Sequence, residues 1–362
     1  MKTTAQRWYI KFLQWKTQYL THRQFILLLC VLVGVATGFA ALAMRSLTHF
    51  IEEVLVGNII RYINYGFYVV FPAVGFLLVY LVKKYVIRKD VSHGIPSILY
   101  AVAKQKGIMK RFQAYGSLLT APITIGFGGS VGLEGPMVVT GAGISSQIAR
   151  LFHINQSDRM LLLACASAAA LAAIFKVPLA GILFAIEVFG LDLTLWSLLP
   201  LFVASLSGVL ISYLFFGNAA LLPIQVSGSF LMRNIPFYLL LGVVGGFMSA
   251  YFTFVYEWVN RFFARFSSPY VRLLIGGAVL GLLVFLMPPL YGEGHEVINH
   301  LKEGHPELSL GDNIFGWDLH NPWVIILLLA GLAFSKVVAT SVTFGAGGVG
   351  GIFSPMLFMG GV

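Results

Sequence analysis

Charge is what this sequence has least of. Only 10% of its 362 side chains are charged, against roughly a quarter in a soluble domain. With 58% hydrophobic residues, that scarcity excludes an ordinary soluble domain and leaves an all-α polytopic membrane protein. Cysteine is nearly absent as well. Cys30 and Cys165 both fall in apolar segments, where a small packed thiol is the default and a disulfide framework is excluded. No Cys or His spacing suits a metal, and no cofactor is implied. Nucleophile–base and carboxylate pairs with a credible partner are missing from the apolar segments, which argues against an intramembrane enzyme. The N-terminus also lacks the shape of a cleavable signal, because its basic region and the apolar run after it are both too long.

What charge there is sums to +10. The basic residues lie mainly in the N-terminal leader and in short connections, a distribution that the positive-inside bias explains better than nucleic-acid binding. Residues 1–24 carry Lys2, Arg7, Lys11, Lys16 and Arg23 without an acid. We place this leader in the cytoplasm, with Trp8, Phe12 and Trp15 along the membrane surface. The expected location is a bacterial inner membrane.

Apolar runs long enough to span are expected at Phe25 to Met44, continuing towards Val56, and at Tyr65 to Val82, Trp196 to Phe216, Ile235 to Trp258, Val271 to Met287 and Trp323 to Thr343. Between them lie shorter pieces: Asp90 to Ala103, Tyr115 to Gly126, Pro136 to Ala149, Arg159 to Phe175, Val177 to Phe189 and the amphipathic Leu290 to Gly304. Interrupted segments of this kind characterise transport proteins whose re-entrant helices meet inside the bilayer. The expected division is a leader (1–24), a first transmembrane repeat (25–217), a linker (218–234) and a second repeat (235–362). The last half-helix starts at Pro355 and the sequence stops at Val362, so the second repeat is expected to be incomplete.

Two glycine-rich stretches organise the chain. Gly126 to Met137 and Gly345 to Met356 align at an offset of 219 positions, with identical residues at Gly345, Gly347, Gly348, Gly351, Pro355 and Met356. Duplicated glycine-broken segments in two halves point to the substrate site. The copies differ in one respect, since Glu134 falls opposite Phe353. A carboxylate at mid-membrane costs about 2.5 to 3.5 kcal/mol even on lenient scales, so Glu134 is either functional or a cap for the helix after it.

The segments Gly132-Leu133-Glu134-Gly135-Pro136, Phe175-Lys176-Val177-Pro178-Leu179-Ala180-Gly181 leading to Glu187, and Gly351-Ile352-Phe353-Ser354-Pro355, with Ser92-His93-Gly94-Ile95-Pro96 as a weaker fourth, resemble the CLC family of chloride channels and chloride/proton exchangers. The resemblance implies an inverted-repeat fold, normally homodimeric, in which half-helix N-termini converge on chloride or another small anion. Such termini offset anion dehydration without a full fixed charge. The implied anion-binding residues are Ser92, His93, Gly94, Ile95, Leu133, Glu134, Gly135, Ile352, Phe353 and Ser354. Glu134 is the implied gate, leaving its site when protonated.

Three positions qualify the resemblance. Val188 stands where exchangers commonly carry a proton-relaying glutamate, which favours a channel or uncoupled conductor over a chloride/proton antiporter. His93 falls where the family often has the serine that touches the central anion; either His93 or Ser92 fits that role, or backbone N–H groups suffice and His93 caps the half-helix. The family's anion-coordinating tyrosine is expected beyond Val362. Glu187 reads as buried and structural, and Lys176 as an interfacial lysine that snorkels to water. A cation-coupled solute carrier is the alternative of another class, disfavoured because only Glu134 and Glu187 stand out as acids at membrane depth.

Overall fold

A computed structural model describes residues 20–60, 65–91, 94–218, 221, 231–305, 307–310 and 321–362. Ser92, His93, the proposed surface helix of the leader and most of the 218–234 linker lie outside the described residues. Everything described is helical or irregular apart from one isolated bridge between Gly132 and Gly351.

The helices are α1 (His22–Glu52), α2 (Phe71–Leu81), α3 (Ile95–Lys104), α4 (Gly116–Gly126), α5 (Glu134–Leu151), α6 (Gln156–Phe175), α7 (Pro178–Phe189), α8 (Leu195–Phe216), α9 (Ile235–Ala264), α10 (Pro269–Leu286), α11 (His295–Lys302), α12 (Glu307–Leu310), α13 (Pro322–Gly345) and α14 (Phe353–Gly361). Among the described residues six stretches are long and apolar enough to cross a bilayer: His22–Gly57, Gln156–Phe175, Leu195–Phe216, Met232–Ala264, Pro269–Leu286 and Pro322–Gly345. The second of these corrects an expectation. The sequence pattern makes Arg159 to Phe175 a short piece and no generous span, but α6 gains a turn because Asn155 caps it, its side chain accepting the Asp158 N–H at 2.8 Å.

By contact the chain forms two interleaved units, 1–42 with 96–114 and 138–217, and 43–95 with 115–137 and 218–362. This grouping follows packing and differs from the contiguous sequence repeats.

In the first unit α6 is the buried centre, packed against α7 and α8. Its run Ala164-Cys165-Ala166-Ser167-Ala168-Ala169-Ala170 is wholly buried. Lipid tails are as apolar as these side chains, so close van der Waals approach has to hold the helices together, and small residues permit it. Gly208 of α8 shows the fit: an added Cβ would lie 2.9 Å from the Ala169 carbonyl oxygen. Cys30 and Cys165 are free and buried, with sulfurs 3.7 Å apart. Lys176 does not snorkel. It adopts a left-handed conformation at the end of α6 (φ 59°) and donates to the Gly217 carbonyl at 2.6 Å, satisfying an acceptor at the α8 C-terminus. Glu187 is exposed on α7 rather than buried.

In the second unit α10 packs on α2 and on the short helix Tyr65–Val69, and α13 packs on α9, α10 and α14. Gly277 and Gly281 form the close-approach stripe of α10. A Cβ on Gly277 would stand 2.5 Å from Ala73 Cα, and one on Gly281 would run into the Val69 carbonyl. These are backbone atoms that cannot swing aside. We therefore predict that Gly281→Leu lowers stability by roughly 2 to 3 kcal/mol or more, read as a lower thermal midpoint and loss of monodispersity in detergent.

Candidate functional site

The two glycine stretches, 219 positions apart in sequence, meet in the second unit. Gly132 N–H donates to the Gly351 carbonyl at 2.9 Å, and Gly351 N–H donates back to Gly132 at 2.7 Å. The approach requires glycine, because a Cβ on Gly351 would lie 2.8 Å from the Gly135 nitrogen, and one on Gly135 would lie 3.1 Å from Gly351 Cα and 3.6 Å from Gly94 Cα. Three helix starts therefore adjoin: α3 with Gly94 and Ile95, α5 with Glu134 and Gly135, and α14 with Ile352 as its N-cap followed by Phe353 and Ser354. Gly94 has φ +64°, a left-handed turn into α3 that glycine adopts without strain. First-turn N–H groups have no acceptor within their own helix, so a junction of three starts concentrates donors and positive dipole ends.

Glu134 projects into this junction and is only 2% exposed. Its Oε1 accepts a hydrogen bond from the Ser354 hydroxyl, which comes from the other glycine stretch. The carboxylate of one repeat is thus held by a donor of the other. Ser354 Oγ also lies 3.0 Å from Nε2 of His295. With the hydroxyl proton directed at Glu134, that ring nitrogen is the donor to Ser354.

His295 and Glu293 are the residues the sequence reading passed over. They sit in the connection between α10 and α13, outside the spans. His295 Nε2 is 3.7 Å from Glu134 and 3.8 Å from Glu293. Glu293 Oε1 accepts the Leu133 N–H at 2.7 Å. This corrects one member of the expected anion cradle, because the Leu133 donor is occupied by a protein carboxylate. Available signals were the Gly292-Glu293-Gly294-His295 run, an acid between glycines as at Glu134, and a histidine beside it.

Burial and the neighbouring Glu134 carboxylate raise the pKa of Glu293 to about 7, against opposing pulls from His295, the Leu133 N–H and Arg45. Burial acts to lower the pKa of His295, but its interactions with Glu134 and Glu293 outweigh that and raise it. Glu293 consequently exchanges protons near neutral pH, and the two carboxylates favour the charged form of His295. Glu134, Glu293 and His295 present ligand-type atoms within 4.8 Å of one another. Arg45 and Lys336, however, both act on Glu293 electrostatically.

A cleft of about 670 Å³ reaches Glu293 and His295 of this trio, and its lining also includes Leu133 and, from the α1 C-terminal region, Arg45, Glu52 and Glu53.

Comparison with known proteins places the chain in a family. The family model described as voltage gated chloride channel matches residues 74–362. A putative chloride channel protein, ClcB-like, of Ralstonia nicotianae is 27% identical over 347 residues, covering 91% of this chain and 75% of the relative. The H(+)/Cl(-) exchange transporter ClcA of Citrobacter koseri is 27% identical over 349 residues, covering 92% and 70%. Among solved structures, a CLC-type fluoride/proton antiporter superposes with a TM-score of 0.72 at 22% identity, over 94% of this chain and 80% of that one. A slow cyanobacterial Cl-/H+ antiporter gives 0.76 at 19% identity, over 94% and 77%. At those identities the two structures speak to the fold, whereas the family model extends over far more than half of the residues, and the chain belongs to the voltage-gated chloride channel (CLC) family.

Proposed function

We propose that the protein exchanges chloride, or a closely related small anion, for protons across the membrane, along a path lined by Gly94, Ile95, Gly135 and Ile352 to Ser354 and gated by Glu134. The observation that carries this reading is the Glu134 carboxylate, bound by the Ser354 hydroxyl at the junction of three helix starts. An anionic side chain there takes the donors that a permeating anion would take. Protonation removes its charge and frees the place for the ion.

Coupling to protons is favoured over uncoupled conduction, reversing the preference drawn from Val188. The relatives named as exchange transporters and the fold neighbours named as antiporters support it, and so does the pair of protonatable groups beside Glu134. Uncoupled conduction is supported by Val188, an apolar residue at a position where a carboxylate would carry protons, and by the relative named as a putative chloride channel. We further propose a homodimer in a bacterial inner membrane with the leader in the cytoplasm.

The test is simultaneous recording of chloride and pH from chloride-loaded liposomes. Exchange predicts that an outward chloride gradient drives protons inward against their own gradient. Chloride efflux with no coupled proton movement would replace exchange by channel-like conduction.

A further inference from the structure

We propose that Glu293 and His295 form a proton-loading relay between the acidic cleft and Glu134, with the Ser354 hydroxyl as the bridge. This rests on Glu134 being the gate, and it adds the route by which the gate receives its proton. Glu134 is 2% exposed and is not part of the cleft wall, which includes its neighbours Leu133, Glu293 and His295. A proton arriving through the cleft therefore meets those two side chains first.

The cleft itself suits protons better than anions. Its walls carry Glu52, Glu53, Glu293 and Glu296 against Arg45, His49 and His295. The exposed carboxylates of Glu53 and Glu296 repel chloride and raise the local concentration of cations, protons included. Were the cleft only an anion mouth, that balance of charge would slow the transported ion.

Beyond the cleft the contacts are continuous. Glu293 lies 3.8 Å from His295, His295 Nε2 lies 3.0 Å from Ser354 Oγ, and Ser354 hydrogen-bonds Glu134. The transfer balances without any further reactant. Imidazolium His295 gives its Nε2 proton to Ser354 Oγ as the Ser354 hydroxyl proton passes to the Glu134 carboxylate. Neutral imidazole then regains a proton from the cleft by way of Glu293. The groups that set the energy of this step are Arg45 and Glu52 from α1, Glu134 from α5 and Lys336 from α13, all interacting electrostatically with Glu293 or His295, while Glu296 from α11 acts on Glu52. Their mixture of signs leaves neither relay group locked in one charge state, as a relay needs. One arrangement serves two purposes, since Glu293 when ionised also holds the Leu133 N–H.

The experiment compares the wild-type protein with Glu293→Gln and His295→Gln in liposomes, changing pH on one face at a time. At pH about 7 on the cleft face, each variant should exchange chloride for protons roughly tenfold or more slowly than wild type. Lowering the pH of that face alone to about 5 should restore most of the rate, because the higher hydronium concentration offsets the slower proton transfer past the missing relay group. In a Glu134→Gln background neither substitution should have a further effect on chloride flux. Wild-type rates and pH profiles in both variants would overturn the relay. So would a loss that acid does not restore, or that persists without Glu134, since either would make the pair a structural support. Absence of anion flux in the wild type is a separate result that refutes the transport reading first. Should His295→Gln fail to yield monodisperse protein, Glu293→Gln carries the test by itself, since glutamine still accepts the Leu133 N–H.

Discussion

Glu134→Gln should leave chloride flux running at a rate that no longer follows pH between about 5 and 8, while proton movement falls by about 100-fold or more. The amide has the size of the protonated acid and cannot ionise, so it mimics the gate in its open state at every pH. Ionised Glu134 accepts the Ser354 hydroxyl in a space with 2% exposure, where charged hydrogen bonds are stronger than neutral ones. The substituted amide gives up that charge assistance, and an anion competes for Ser354 on better terms. Parallel chloride and pH recordings check both halves of the result. A variant whose flux keeps the wild-type pH profile would remove Glu134 from the gating role and return it to capping α5.

The site was legible in the sequence wherever geometry follows from local pattern. Glycine spacing identified both loops, and the lone acid between glycines identified Glu134, because backbone approach and charge burial leave marks at single positions. The pairing of Gly132 with Gly351, and of Ser354 with Glu134, joins residues more than 200 positions apart. Only the internal match between loops hinted at it. His295 and Glu293 went unread because Leu290 to Gly304 has the pattern of an ordinary amphipathic piece, and its role comes from where the connection between α10 and α13 is folded. Helix ends were recovered less well than helix centres. Lys176 stands at a break in the apolar pattern that the sequence exposes plainly, whereas its role there depends on the distant carbonyl of Gly217.

Lys336→Met should destabilise the protein by roughly 2 to 4 kcal/mol and should also alter the pH profile of transport. Lys336 lies within the apolar span α13 and is completely buried. Its ammonium donates to the Gly292 carbonyl at 2.8 Å and the Leu290 carbonyl at 3.5 Å, and it stands 4.9 Å from the centre of the Phe358 ring. Leu290 keeps a second donor, the Ser130 hydroxyl at 2.7 Å, so Gly292 bears most of the loss. Methionine nearly conserves the volume and removes the charge, which leaves that buried acceptor unsatisfied. Gly292 and Gly294 flank Glu293, and Gly294 leads directly into His295. Both glycines hold left-handed conformations, φ +59° and +84°, so the path of this segment is set by few interactions and the Lys336 contact is one of them. Released from it, Glu293 should lose its registration with the Leu133 N–H, and transport should slow most at neutral pH, where the relay supplies the proton. Thermal melting in detergent reads the first effect and liposome flux at pH about 5 and 7 the second. Melting like wild type combined with the wild-type pH profile would mean that Lys336 fills space in α13 without fixing the loop that carries Glu293.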